Sequence, residues 1–269
     1  MPESTRARIR AYSAQDEKQV RFMVGQAQME SLAYANNRAY FHPLTLAVWI
    51  GISSMFAHYM DWWPNSSYGI WSWLQVLPAF FAPAVPVMFY IDWKNRPFIE
   101  NSVENVLRRI DLLDIQAYYA LSPASGFWLL EYGDKIIGLI AIDASMDATN
   151  DEPVAKPTSE GRLRTEFKQK GTSSVATIRH FFGEEAYRRV NIEDDLLQVA
   201  VNSTFTADKS VNSIRILASP LRPAILESIR RNKFCKGDRV ETVGILGWEV
   251  CWYKLKREQW VAEKEKERS

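Results

Sequence analysis

The residues best placed to do chemistry fall in one stretch, Ala176–Val201, ATIRHFFGEEAYRRVNIEDDLLQVAV. Ile178, His180 and Phe182 alternate with Thr177, Arg179 and Phe181, with apolar side chains dominant, which predicts a strand covered on both faces. From Ile192 the period changes. Ile192, Leu196, Val199 and Ala200 recur at helical spacing. Tyr187, Arg188 and Arg189 lie between the two. A strand that feeds a helix N-terminus through a short cationic loop is an anion site, because the first helical N–H groups lack partners and the dipole favours negative charge. Glu193, Asp194 and Asp195 at that helix start are good dipole partners. His180, whose ring titrates near neutrality, sits mid-strand, where a hydrogen-bonded core histidine is the ordinary outcome.

Composition narrows the classes. With 33 Lys and Arg against 32 Asp and Glu, the chain has no global field for nucleic acid. His42, His58 and His180 are far apart, and Cys235 and Cys251 have no metal-like spacing, so a metal site is not expected. Two cysteines make no disulfide framework, which places the folded part in a reducing compartment. The start, MPESTRARIR, has no apolar core behind it and is not read as a cleaved signal peptide.

The elements that position the central stretch follow from periodicity. Ala7–Tyr12 reads as a short strand and Ser13/Asp16 as a capping-box-like helix start. Val20, Met23, Val24 and Ala27 mark an amphipathic helix reaching about Asn36. A second amphipathic helix is predicted over Glu100–Ala117, carried by Val103, Val106, Leu107, Ile110 and Leu113. Phe127–Tyr132, Gly133-Asp134 and Lys135–Ile142 read as strand, tight turn and strand. Ser145–Ser174 is polar and basic (Arg162, Arg164, Lys168, Lys170) and reads as a mobile loop, either a variable insertion or an acceptor-binding lid. Ser213–Ala218 is a strand, Leu221–Asn232 a helix, Trp248–Leu255 a final strand, and 256–269 a charged tail that frays or forms a solvated helix.

Between Arg38 and Asp92 the only formally charged residue is Asp61. Pro43–Met60 and Ile70–Ile91 each approach the ~20 residues that cross a bilayer core of ~30 Å. Trp62, Trp63, Tyr68, Trp71 and Trp73 crowd the connection, and Tyr90 and Trp93 mark the far end, as in an aromatic belt. Basic residues flank both ends and are absent between them, which puts both termini in the cytosol. Length favours a spanning hairpin over a re-entrant one, suggested by Pro78, Pro83 and Pro86, and over a buried soluble hairpin. Asn65-Ser66-Ser67 in the connection is a glycosylation sequon lying close to the predicted membrane. Gly51, Ser53 and Ser54 could support oligomers through the hairpin. The expected organisation is 1–40, first strand and helix; 41–92, hairpin; 93–255, the rest of the domain; 256–269, tail.

The run Arg188-Arg189-Val190-Asn191-Ile192-Glu193 resembles the acyl-CoA loop of the GCN5-related N-acetyltransferase superfamily, Gln/Arg-x-x-Gly-x-Gly/Ala. Asn191 and Glu193 stand where the family has glycines. The pattern I-R-x-Y-x-x-x-D-x-x-x-V near the start and GFWLLEYGDKIIGLIAID also resemble that family, as does the order of elements over nearly the whole chain. The hydrophobic insertion after the first helix is similar to the membrane-bound cysteine-S-conjugate N-acetyltransferase type of the endoplasmic reticulum. The resemblance implies an α+β fold, a mixed central sheet with helices on both faces, plus the inserted transmembrane hairpin. It implies acetyl-CoA or another acyl-CoA as cosubstrate, an amine acceptor, and a location in the endoplasmic reticulum membrane. The cofactor would lie along Arg179, His180, Phe181, Phe182 and Gly183, with its pyrophosphate at Arg188, Arg189, Val190, Asn191 and Ile192. Glu184 and Glu185, ahead of Glu131, become the general-base candidates. Ile229 stands where the family's thiolate-protonating tyrosine would be. Two functions remain open: a membrane-anchored N-acyltransferase, or a non-catalytic descendant that acts as scaffold or partner-binding protein.

Overall fold

Lys135–Ser145 is the strand around which the rest assembles, because every residue after Lys135 is buried. A strand apolar on both faces needs neighbours at both edges and cover on both sides. The computed structural model describes residues 7–63, 69, 73–150 and 170–268. Within it β1 (Ala7–Ala11), β2 (Gly126–Tyr132), β3 (Lys135–Ser145), β4 (Thr172–Gly183), β5 (Ser213–Ala218), β6 (Cys235–Val243) and β7 (Trp248–Lys256) form one sheet, ordered β1-β2-β3-β4-β5-β7-β6. All neighbours are antiparallel except β4 and β5. The chain is thus an α+β protein with a mixed sheet.

Each face buries its own core. On one, α5 (Ile192–Ala207) and α6 (Pro223–Arg231) cover the sheet through Leu196, Leu197, Ala200, Ile225 and Ile229. On the other, α1 (Glu17–Tyr40) and α4 (Ile115–Tyr119) do so through Val20, Met23, Val24, Ile115 and Tyr119. The tail is a helix, α7 (Arg257–Arg268). Arg257 donates to the Phe205 and Asp208 carbonyls at 2.7 and 2.6 Å, closing the end of α5, and Trp260 packs on Phe205.

Two elements differ from the sequence reading. β6 is a strand where none is predicted. Its first eight residues are exposed, so an edge strand with no buried face carries no alternation. Of the helix expected over Glu100–Ala117, the part to Leu107 is instead the end of α3 (Trp73–Leu107), which also contains the second apolar stretch from Trp73 on. The charged run does not break the helix, because Arg96 bridges Asp92 and Glu100 at helical spacing, at 2.8 and 3.4 Å. At 35 residues α3 is about 50 Å long. The chain then turns through Ile110–Leu112 into the short α4.

The outer half of α3 pairs with α2 (Pro43–Tyr59), where Trp49 Nε1 donates to the Phe80 carbonyl at 2.8 Å. Ser53, Ala57, Val76 and Ala79 are buried there, while Met55, Phe81, Val85 and Phe89 stand more than 60 % exposed. Val76–Leu107 is one helix long and apolar enough to cross a membrane, and α1 and α2 meet at a 58° bend. At the root of this hairpin Asn36 donates to Asp92 at 2.7 Å, and Asn95 to Asn36 at 2.9 Å. The Ile245 N–H, in the β6–β7 turn, donates to Asn95 at 2.8 Å. The sequon at Asn65 and residues 151–169 of the expected loop lie outside the described residues.

Gly138 tests the packing of α5 on β3. A Cβ there would stand 2.8 Å from Leu196 Cδ1 and 3.2 Å from the Phe182 carbonyl oxygen. Gly138→Ala is expected to cost about 1–3 kcal/mol through overpacking, and Leu196→Ala about 3 kcal/mol through a cavity. Because the two share one space, the double variant should lose less than the sum in urea denaturation.

Candidate functional site

β4 and β5 pair only from Val175/Ser213 to Ile178/Ile216. Beyond Ile178, β4 runs on to Gly183 without that neighbour. The Glu184 N–H donates to the Ile137 carbonyl on the β3 side at 2.8 Å. Strand alternation therefore turns the carbonyls of Phe181 and Gly183 to the edge that β5 has left. Buried carbonyls need donors, and here two arginines supply them. Arg222, just before α6, donates to the Phe181 carbonyl. Arg188, in the 3-10 turn Glu185–Val190, donates to the Gly183 carbonyl through Nε at 3.0 Å and Nη2 at 2.8 Å.

Glu30 and Tyr34, one turn apart on α1, close this gap from the side. Arg188 Nη2 reaches Glu30 Oε2 at 2.5 Å. The space left is a cavity of about 10 Å³, bounded also by Phe182, Leu221 and the first residues of α6. That is room for about one water. Desolvation lowers Arg222 to about 10, against the attraction of Glu30 and together with repulsion from Arg188.

The loop leads into α5 through Asn191, which is left-handed at φ 57°, ψ 41°. Asparagine tolerates that conformation better than most residues, so it can serve where the resembled pattern has glycine. Glu193 does not stand at the loop entrance but is buried against Gly183, where a Cβ would come within 2.6 Å of its Oε1. Burial pushes the Glu193 carboxyl up, with Arg188 opposing. Its Oε1 has no hydrogen bond, and Arg188 Nε lies 3.4 Å away. Arg188 and Arg189 thus part company: Arg188 is drawn inward, while Arg189 and Val190 are exposed at the helix entrance.

Arg179 and His180 are placed by a bulge. Ala141 pairs with His180 and Ile142 with Ile178, so the backbone register skips Arg179. A bulge directs two successive side chains to one face, contrary to simple alternation. There Arg179 meets Asp143 at 3.2 Å and His180 Nε2 meets Asp111 at 2.6 Å, all four side chains being 4 % exposed or less. Tyr118 donates to Asp143 at 2.9 Å and Tyr119 to Asp111 at 3.0 Å. Burial alone would raise Asp111, but His180 and nearby arginines hold it at about 2. This network locks α4 to β3 and β4 and does not line the gap. Phe181 packs toward α5, Phe182 toward α1, and Ile192 is core.

The predicted carboxylates are not brought to the gap. Glu184 accepts from Lys135 at 2.6 Å, Glu185 is exposed, and Glu131 accepts from Arg8 at 2.9 Å and Arg10 at 2.5 Å. Glu30 is the carboxylate lining the cavity. Periodicity assigns it to an amphipathic helix without saying what it faces; its only local signal is the Glu30/Tyr34 spacing. Arg222 has no signal beyond its place after a strand. Among the described residues no group of three or more His, Cys, Asp or Glu could hold a metal ion.

No protein-family model matches the sequence, and no curated protein matches it. Several solved structures are similar in outline. An acetyltransferase of the GNAT family from Staphylococcus aureus Mu50 is 10% identical, with 93% of this chain and 99% of that chain covered and a TM-score of 0.42. Spermidine N-acetyltransferase from Vibrio cholerae, in complex with CoA and spermine, is 9% identical, with 96% and 99% covered and a TM-score of 0.43. Ribosomal-protein-alanine N-acetyltransferase from Brucella melitensis is 10% identical, with 93% and 99% covered and a TM-score of 0.38. All three TM-scores lie below 0.5.

Asp111 gives a pH-dependent test. Its folded value of about 2 lies below the ordinary 3.8. Its contribution is therefore present above about pH 4 and lost as pH falls toward 2, amounting to about 2 kcal/mol. Asp111→Asn should lower stability at neutral pH and flatten the acid limb of a denaturation-midpoint profile between pH 4 and 2. An unchanged acid limb would reject this assignment.

Proposed function

We propose that this chain is an acyl-CoA-dependent N-acyltransferase held at a membrane face, which passes an acyl group to an amine. The observation that carries this reading is the parted β4/β5 edge. Its Phe181 and Gly183 carbonyls face a gap that an extended chain bearing amides would fill as an added strand. The loop that carries Arg188 from the gap leads to the start of α5, where left-handed Asn191, the helix N-terminus and exposed Arg189 suit phosphate. An extended arm with amides at one end and phosphates at the other is the chemistry of an acyl-CoA.

The transfer needs little besides positioning. The amine nitrogen attacks the thioester carbonyl carbon, a C–N bond forms and the C–S bond breaks. The amine loses a proton and the departing thiolate gains one. Glu30, on the cavity wall, is the carboxylate that would accept the first once Arg188 releases it, and Tyr34, which also lines the cavity, carries a hydroxyl that could supply the second. Ile229, where a tyrosine would be expected, is fully buried and cannot do so.

A membrane seat is supported by the uncharged α2 and outer α3, whose large apolar side chains are exposed. Positive charge at the hairpin root favours cytosolic termini, and the acceptor would then be amphipathic or lipid-proximal. The resemblance alone points to the endoplasmic reticulum. A second reading, a non-catalytic scaffold, is favoured by one observation: Arg222 and Arg188 already satisfy the carbonyls that a cofactor would use.

Calorimetric titration of acetyl-CoA into the detergent-solubilised chain tests the proposal. Sub-millimolar binding that Arg189→Glu weakens at least tenfold is expected. Binding indifferent to that reversal would remove the phosphates from the α5 entrance.

A further inference from the structure

A guanidinium drawn partly out of water normally stands against a carboxylate. Half-buried Arg222 has none within bonding distance among the described residues; its hydrogen bond goes to a backbone carbonyl, that of Phe181. Arg188, beside it, does the same for Gly183 and is held there by Glu30. The two carbonyls are alternate acceptors along one strand edge, and the cavity beside them takes about one water.

We propose that Arg222, on the Phe181 carbonyl beside the Arg188–Glu30 pair, is a resident plug that competes with acyl-CoA for the β4 edge and so sets the affinity of the chain for its cosubstrate. This rests on the acyltransferase reading above. An incoming amide N–H and the Arg222 guanidinium need the same acceptor on Phe181, so only one can be bonded at a time. Opening the gap requires Arg222 to swing outward, where water would solvate it. To bond at the Gly183 carbonyl as well, the ligand must displace Arg188, and release of Arg188 by Glu30 would free that carboxylate to take a proton from the amine. The latch reaches the hairpin, because α1 carries both Glu30 and Asn36, and Asn36 is tied to Asp92 and Asn95 at the hairpin root. A shift of the hairpin would therefore move Glu30 relative to Arg188.

Acetyl-CoA affinity, measured by calorimetry on the full chain in detergent, tests this with Arg222→Ala, Arg222→Met and Glu30→Gln. Loss of a hydrogen bond from a charged donor corresponds to about tenfold or more in affinity. Arg222→Ala is therefore expected to bind acetyl-CoA at least about tenfold more tightly than the unaltered chain. Arg222→Met, which keeps the apolar stem, should match it, and Glu30→Gln should move the same way by less. The methionine and glutamine variants decide the matter if the alanine variant does not fold. An unaltered chain that binds, with folded variants that bind no more tightly, overturns the plug and leaves the acyltransferase reading standing. No binding by any folded variant at millimolar acetyl-CoA overturns both.

Discussion

The interaction on which the site depends is the one between backbone carbonyls at a broken sheet edge and two arginine side chains. Parallel strands normally satisfy one another's backbone groups along their whole length. β4 and β5 do so for four residues and then part. The exposed edge of β4 cannot remain without donors in a part-buried gap, since an unbonded buried carbonyl costs as much as a lost hydrogen bond. Arg222 and Arg188 meet that demand from α6 and from the loop before α5. Under the proposed function the same demand makes the gap a place for an extended ligand, so one physical constraint would underlie both binding and its obstruction.

Around this edge the structure invests in rigidity. The bulge at Arg179 puts two cationic or titratable side chains on one face, where Asp143, Asp111 and two tyrosines receive them. Buried charge of this kind is tolerated only when paired and hydrogen-bonded. The pairing ties β4 to α4 on the face away from α5.

The hairpin enters the site through α1 and α3. Both helices run from the domain core into the apolar projection, and at their crossing the Asn36, Asp92 and Asn95 side chains bond to one another and to the β6–β7 turn. A polar cluster there separates the exposed apolar side chains of the hairpin from the charged domain surface. It also fastens the far edge of the sheet to the same helices that bring Glu30 to the gap.

The sequence by itself determined the strand–loop–helix unit around β4 and α5, the amphipathic α1 and the two uncharged stretches of the hairpin. These are signals of local period and composition, readable one residue after another. It did not show β6, because a strand exposed on both faces has no alternation. Nor did it show that α3 is continuous, because side-chain pairing carries the helix through its charged run. The carboxylates chosen from it, Glu184 and Glu185, were nearest in the chain to the strand end, yet Lys135 holds one and solvent surrounds the other. Glu30, Arg188 and Arg222 meet only when α1, the loop and the start of α6 are packed around the parted strands. Which side chain faces a gap is decided by how elements distant in the chain dock, and no local pattern encodes that.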